Sequence, residues 1–123
     1  MKNCVFCKII EKRLPADIVF ENDRLIVFKD INPAAPVHLL IVPKQHISTL
    51  SDCTESHTGI LGEMMALIPR IADQQKIGVV GSTPDTRTGG YRVIINTGPD
   101  GKQEVYHLHV HLIGGARPWR DNK

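Results

Sequence analysis

Residues 104–115 read "EVYHLHVHLIGG" and place His107, His109 and His111 at every second position of an otherwise apolar run. In an extended chain alternate side chains share a face, so the three imidazoles line one side while Leu108, Val110 and Leu112 point to the other. Same-face neighbours lie about 6.6 Å apart and the outer pair about 13 Å apart. Zinc nitrogens sit about 2.0–2.1 Å from the ion, so two of the three rings can share a metal but not all three. The alternatives are a row of solvent-facing histidines on an edge strand, or chemistry on the imidazoles themselves. A neutral imidazole carries a lone pair on one nitrogen and a proton on the other, and a hydrogen bond from the protonated nitrogen fixes which one can attack. The loop "GPDGKQEV" enters this strand, and its backbone N–H groups can form a concavity for an anion. A held nucleophile beside an anion site suits phosphoryl chemistry, which needs fixed donors more than many formal charges.

The remaining reactive side chains are fewer. Cys4 and Cys7 of "CVFC" have a spacing suited to one metal or to a redox pair. Cys53 reads as a passive thiol and His57 as an exposed helix residue. Three cysteines, an odd number, disfavour a secreted disulfide framework. Fifteen Lys and Arg against 13 Asp and Glu give a net charge of +2 without a basic block, so nucleic acid is not an expected partner. The apolar runs are too short for a membrane span, and "MKNCVFCKII" lacks a secretion pattern, so a soluble cytoplasmic location is expected.

The elements that must carry these groups follow from pattern. A length of 123 residues with 41% hydrophobic content suits a single domain over 1–123. "DIVFEN", "LIVFKD" and "VHLLIVP" read as an antiparallel meander, and "YRVIINT" and "VYHLHVHLI" as two further strands. Ile60, Leu61, Met64, Met65, Ile68, Ile71 and Ala72 recur at three- and four-residue spacings and predict one helix from Glu55 to about Gln75, with Thr54 or Asp52 as N-cap. Pro69 should kink it or loosen the preceding turn. Residues 78–90, rich in Gly and small polar residues, read as a surface loop. The class is α+β with a mainly antiparallel five-stranded sheet and one principal helix.

"HLHVHLI", residues 107–113, closely resembles the His-φ-His-φ-His-φ-φ signature of the histidine triad (HIT) superfamily, where φ is apolar. "FCKII", "LPADIVFEN", "FKDINPAAPVHLLIVPKQHI" and "INTGPDGKQEVYHLHVHLIGG" extend the likeness along nearly the whole chain, with details similar to the Hint branch of nucleoside phosphoramidate hydrolases. The resemblance implies a homodimer whose sheet continues between subunits, with a purine nucleoside 5′-phosphate site in each. It makes His109 the nucleophile forming a covalent nucleotidyl-histidine and gives the backbone carbonyl of His107 the task of orienting it. His111 and His38 would bond phosphate or leaving group and assist proton transfer. Asp30 would hold the ribose hydroxyls, although an Asp in "KDINP" is also a turn former. Phe6, Ile9, Phe28, Ile31 and Leu40 would wall the purine, and Asn96, Gln103 and the Val105 N–H would meet phosphate. Glu104 stands where animal members often have Ser or Thr, and its side chain is expected to point away. Catalysis would need no cofactor. By the same likeness Cys4, Cys7, His46 and His107 would hold a structural zinc, against the alternative of two unligated thiols or a redox pair. Two other functions stay open: hydrolysis of dinucleoside polyphosphates, as in the Fhit branch, and a nucleotide-binding scaffold with vestigial catalysis.

Overall fold

The apolar runs pair as five strands of one antiparallel sheet in a computed structural model that describes residues 3–116. β1 (Ile18–Glu21), β2 (Leu25–Lys29) and β3 (Val37–Pro43) form the meander, and β5 (Val110–Gly114) lies between β3 and β4 (Tyr91–Ile94). The turn from β1 to β2 is fixed by Asn22, whose Oδ1 accepts the N–H groups of Arg24 and Leu25 at 2.9 and 2.8 Å.

Strand alternation divides the core in two. Leu25, Val27, Leu39, Ile41, Val110 and Leu112 face the main helix α2 (Thr58–Gln74), which buries Ile60, Met64, Leu67, Ile68, Ile71 and Ala72 against them. Fully burying each large apolar side chain stabilises the fold by roughly 1.5–3 kcal/mol. Ile26, Phe28, Leu40 and Val42 point to the other face and are covered by Phe6 and Ile9 of a short N-terminal helix, α1 (Val5–Ile10). That second face also carries His38 and His111, because His38 pairs with Ile113 and Leu40 with His111 in the β3–β5 register.

The structure departs from the sequence reading in three places. α1 is a second helix; it is one and a half turns long, too short to show a helical period, and Cys4 caps it by accepting the Cys7 N–H at Sγ. α2 begins at Thr58, after a 3₁₀ turn over Glu55–His57 whose N-cap is Thr54. It continues through Pro69 to Gln74, with Ile68, Ile71 and Ala72 holding both sides of the proline on the sheet. The last two strands are shorter than predicted, and β5 begins only at Val110 because Pro43, opposite Leu108 at the end of β3, has no N–H to continue the ladder. His107 and His109 therefore precede β5, yet burial still alternates in direction: Leu108, Val110 and Leu112 reach the α2 core. Residues 79–90 form an exposed loop closed by paired Val80 and Thr88 bonds of 2.9 and 2.8 Å.

Candidate active site and adjoining metal centre

Four imidazoles gather on the α1 face, and their fixed partners determine which nitrogen of each carries a proton. A carbonyl oxygen only accepts, so a ring nitrogen hydrogen-bonded to one must be the N–H. His109 donates from Nδ1 to the His107 carbonyl oxygen at 2.7 Å, which leaves the lone pair on Nε2. His107 donates from Nε2 to the Pro43 carbonyl oxygen at 2.8 Å, which leaves its lone pair on Nδ1. The Ala34 N–H donates to His38 Nδ1 at 2.9 Å, so the His38 proton sits on Nε2. His38 Nε2 donates in turn to His111 Nδ1 at 2.9 Å, which places the His111 proton on Nε2. His109 thus keeps its lone pair on Nε2 and His111 carries its proton on Nε2, with the two ring centroids 5.0 Å apart.

His109 is held by more than its hydrogen bond. Phe6 meets its ring edge-on at a centroid distance of 5.0 Å, and only 6% of the residue is exposed. Burial lowers its pKa below the usual imidazole value, while the His107 carbonyl and the charges of Asp30 and Glu104 oppose that shift. The nitrogen is thereby kept neutral around pH 7, as an attacking base requires.

Asp30 follows β2 directly, and its two carboxylate oxygens take different partners. Its Oδ1 accepts the Asn32 N–H at 2.8 Å as a turn former, and its Oδ2 lies 3.3 Å from His38 Nε2. Phe6, Ile9, Phe28 and Leu40 are buried together in the α1-side core, whereas Ile31 is 89% exposed. Asn96 gives one amide hydrogen to the Gly101 carbonyl at 2.8 Å and keeps its second. Gln103 differs from expectation. Its Nε2 donates both hydrogens, to the Ser48 and Val105 carbonyls at 2.8 and 3.0 Å, and its Oε1 accepts the Gly98 N–H at 3.0 Å. With no donor left for a phosphate, the Gln103 side chain ties the 98–105 loop to the segment after β3. Glu104, expected to point away, is exposed and lines a cavity of about 430 Å³ together with Cys4, Val5, His46, Val105 and Tyr106.

The second cluster joins Cys4, Cys7, His46 and His107, whose candidate ligand atoms all lie within 4.8 Å of one another. A tetrahedral zinc with sulfur at about 2.3 Å and nitrogen at about 2.0–2.1 Å spaces its ligand atoms roughly 3.3–3.8 Å apart. Here Cys4 Sγ and Cys7 Sγ lie 3.3 and 3.5 Å from His107 Nδ1. Cys7 Sγ lies 3.3 Å from His46 Nδ1, and the two Nδ1 atoms are 3.1 Å apart. The donor set fits: the Pro43 carbonyl turns the His107 lone pair inward, as an outer partner of a metal-bound histidine does. Burial, and then the neighbouring Cys4, push the Cys7 thiol up to about 11 in the absence of a cation. Asp30, His38 and His111 form another compact set. His38 Nε2 there carries a proton, so that set is a hydrogen-bonded chain rather than a ligand shell.

Residue patterns did not reveal the backbone groups at Pro43 and Ala34 that fix these tautomers. The proline closing "VHLLIVP" was the available signal for the first; the second had none. His57 is half-buried and caps the 3₁₀ turn by accepting the Thr54 N–H at 2.9 Å. Cys53 packs against the α2-side core, and its thiol is raised by burial and by Asp52.

A family model described as "Scavenger mRNA decapping enzyme C-term binding" matches residues 3–122. The purine nucleoside phosphoramidase of Escherichia coli K12 is 42% identical over 111 residues, covering 90% of this chain and 86% of that protein. The "14 kDa zinc-binding protein" of Zea mays is 42% identical over 115 residues, 92% and 82% of the two chains. The structure of an HIT family hydrolase from Clostridium thermocellum superposes with a TM-score of 0.82 at 44% identity, covering 94% of this chain and 93% of that one.

Proposed function

The chain belongs to the histidine triad superfamily of hydrolases, and from that premise we propose that it hydrolyses the P–N bond of purine nucleoside 5′-phosphoramidates. The observation that carries the reading is the His109 ring, held by the His107 carbonyl with its lone pair on Nε2, packed against the His111 ring, whose proton His38 fixes on Nε2. In the first step His109 Nε2 attacks the α-phosphorus, the P–N bond breaks, and the departing nitrogen takes the His111 Nε2 proton. In the second, water attacks the nucleotidyl-histidine, its proton returns to His111, and the bond from phosphorus to His109 breaks. Nucleoside monophosphate and amine are the products, and both rings end as they began.

His38 supports this order of events by donating to His111 Nδ1, which keeps the opposite His111 nitrogen protonated and facing the leaving group. The His107 carbonyl holds the nucleophile's ring. Asp30 Oδ2 takes the ribose hydroxyls, and Phe6, Ile9, Phe28, Leu40 and the exposed Ile31 take the base. The second Asn96 amide hydrogen and the Val105 N–H take the phosphate. Cys4, Cys7, His46 and His107 would hold zinc, as the name of the maize relative supports. A closed four-ligand shell gives that metal a structural task, and catalysis runs on the histidines alone. In this reading residues 1–123 form one domain of a cytoplasmic homodimer whose sheet continues across an edge strand. No helix among the described residues is long and apolar enough to cross a membrane.

The test is to quench turnover of a phosphorus-labelled adenosine phosphoramidate in acid-free denaturant and map the label. It should sit on His109, and it should vanish in His109→Ala. Label on another residue, or a far larger kcat/KM for a dinucleoside polyphosphate, refutes the reading.

A further inference from the structure

Glu104 is exposed, and nothing in the proposed two-step reaction uses it. It precedes Val105, whose N–H the proposed reaction gives to the phosphate, and the two residues line one cavity. A carboxylate there repels the phosphate oxygens, and the ribose already has Asp30, so neither end of the nucleotide accounts for it. What remains is the group departing from phosphorus. Among the described residues lining the cavity of about 430 Å³ there is no lysine or arginine, and Tyr106, 44% exposed, lines it as well. A carboxylate and an exposed aromatic residue in one cavity are the usual means of receiving an ammonium group. A zinc on the adjacent thiolates would leave that cluster neutral, with two negative charges against two positive, so Glu104 would still set the sign of the cavity.

Resting on the phosphoramidase reading, we propose that Glu104, with Tyr106, selects substrates whose amine portion carries a second, positively charged nitrogen. The cation sits in the cavity while the bonded nitrogen leaves from phosphorus. The same carboxylate disfavours anionic leaving groups, including the nucleotide that departs from a dinucleoside polyphosphate.

The experiment compares three adenosine 5′-phosphoramidates of matched length: of 1,5-diaminopentane, of pentylamine and of 5-aminopentanoate. An exposed charge pair shifts affinity roughly two- to fivefold, and the shift weakens with salt. Wild type should therefore favour the diamine over the aminopentanoate compound by about tenfold in kcat/KM, mostly through KM, and less so at high salt. Glu104→Gln should compress that ratio towards one, Glu104→Lys should invert it, and Tyr106→Leu should lower it partway. Because Glu104 is exposed, folded variants are expected, and a ratio between substrates is insensitive to the amount of active protein. A wild-type ratio near one, or one unchanged in Glu104→Gln and Glu104→Lys, overturns the proposal. Failure of all three compounds, with a dinucleoside polyphosphate cleaved instead, overturns the phosphoramidase reading first and this inference with it.

Discussion

Acidifying the metal-free protein from pH 7 to pH 4 should weaken its fold through His107. The residue is 0% exposed. Burial brings its pKa from the ordinary 6.5 down to about 4, helped by His46 and His109 and opposed by the bond to the Pro43 carbonyl. Between those two values the unfolded chain binds a proton that the folded chain refuses. The contribution is therefore complete above about pH 6.5 and is lost progressively as the pH falls towards 4. At roughly 1.4 kcal/mol for each pH unit, the loss is about 3 kcal/mol. That is a large share of the roughly 5–15 kcal/mol typical of proteins. His109, whose pKa burial also lowers, acts in the same sense. Carboxylates confuse the lower end: Glu21, lowered by its bonds to Lys12 and Lys44, loses stabilisation as it protonates. The reference is therefore His107→Gln, whose amide can still donate to the Pro43 carbonyl but does not titrate. Urea unfolding in chelator at half-unit pH steps should show wild type losing about 3 kcal/mol more than the variant between pH 6.5 and 4. Parallel losses would refute the assignment of the acid sensitivity to this ring.

Other outcomes follow from the same geometry. Purified wild type should bind one zinc per chain by elemental analysis, and Cys4→Ser with Cys7→Ser should bind none; equal metal content would remove the proposed centre. His109→Ala should reduce phosphoramidase kcat by at least about a thousandfold with an unchanged far-ultraviolet dichroism spectrum. Gln103→Ala strands two carbonyls and one N–H, and should lower unfolding free energy by roughly 2–3 kcal/mol, read from denaturant midpoints. His38→Ala should slow turnover roughly 10- to 100-fold by releasing the His111 tautomer, with a smaller change in KM.

Much of this was legible because the sheet's period of two is written into the chain. Leu39 and Ile41 alternate with Leu40 and Val42, and Leu108, Val110 and Leu112 alternate with the histidines; those positions sort the residues between two cores without further information. Helix α2 shows equally well, since its apolar stripe spans several turns. What escaped had local or backbone causes. α1 is too short for a period, and the early end of β5 depends on the missing N–H of a residue about 65 positions earlier, Pro43. Gln103 was placed at the phosphate by residue type, but a buried amide goes where unpaired backbone groups are, and these lie at Gly98, Ser48 and Val105. The convergence of Cys4, Cys7, His46 and His107 spans over a hundred residues, so spacing along one strand does not supply it and only the family resemblance named the four together.

His107 is bound at three points by different parts of itself: Nε2 to Pro43, Nδ1 towards the thiols, and its carbonyl to the nucleophile. Only the first two belong to the side chain. The acceptor that aims His109 is part of the peptide chain and survives every substitution at position 107, so alanine scanning is blind to it. A scan would report the ring's share in metal and fold and leave the orienting share unmeasured. Separating the two requires altering the amide itself, for instance by an ester between residues 107 and 108, whose carbonyl is a weaker acceptor while every side chain stays the same.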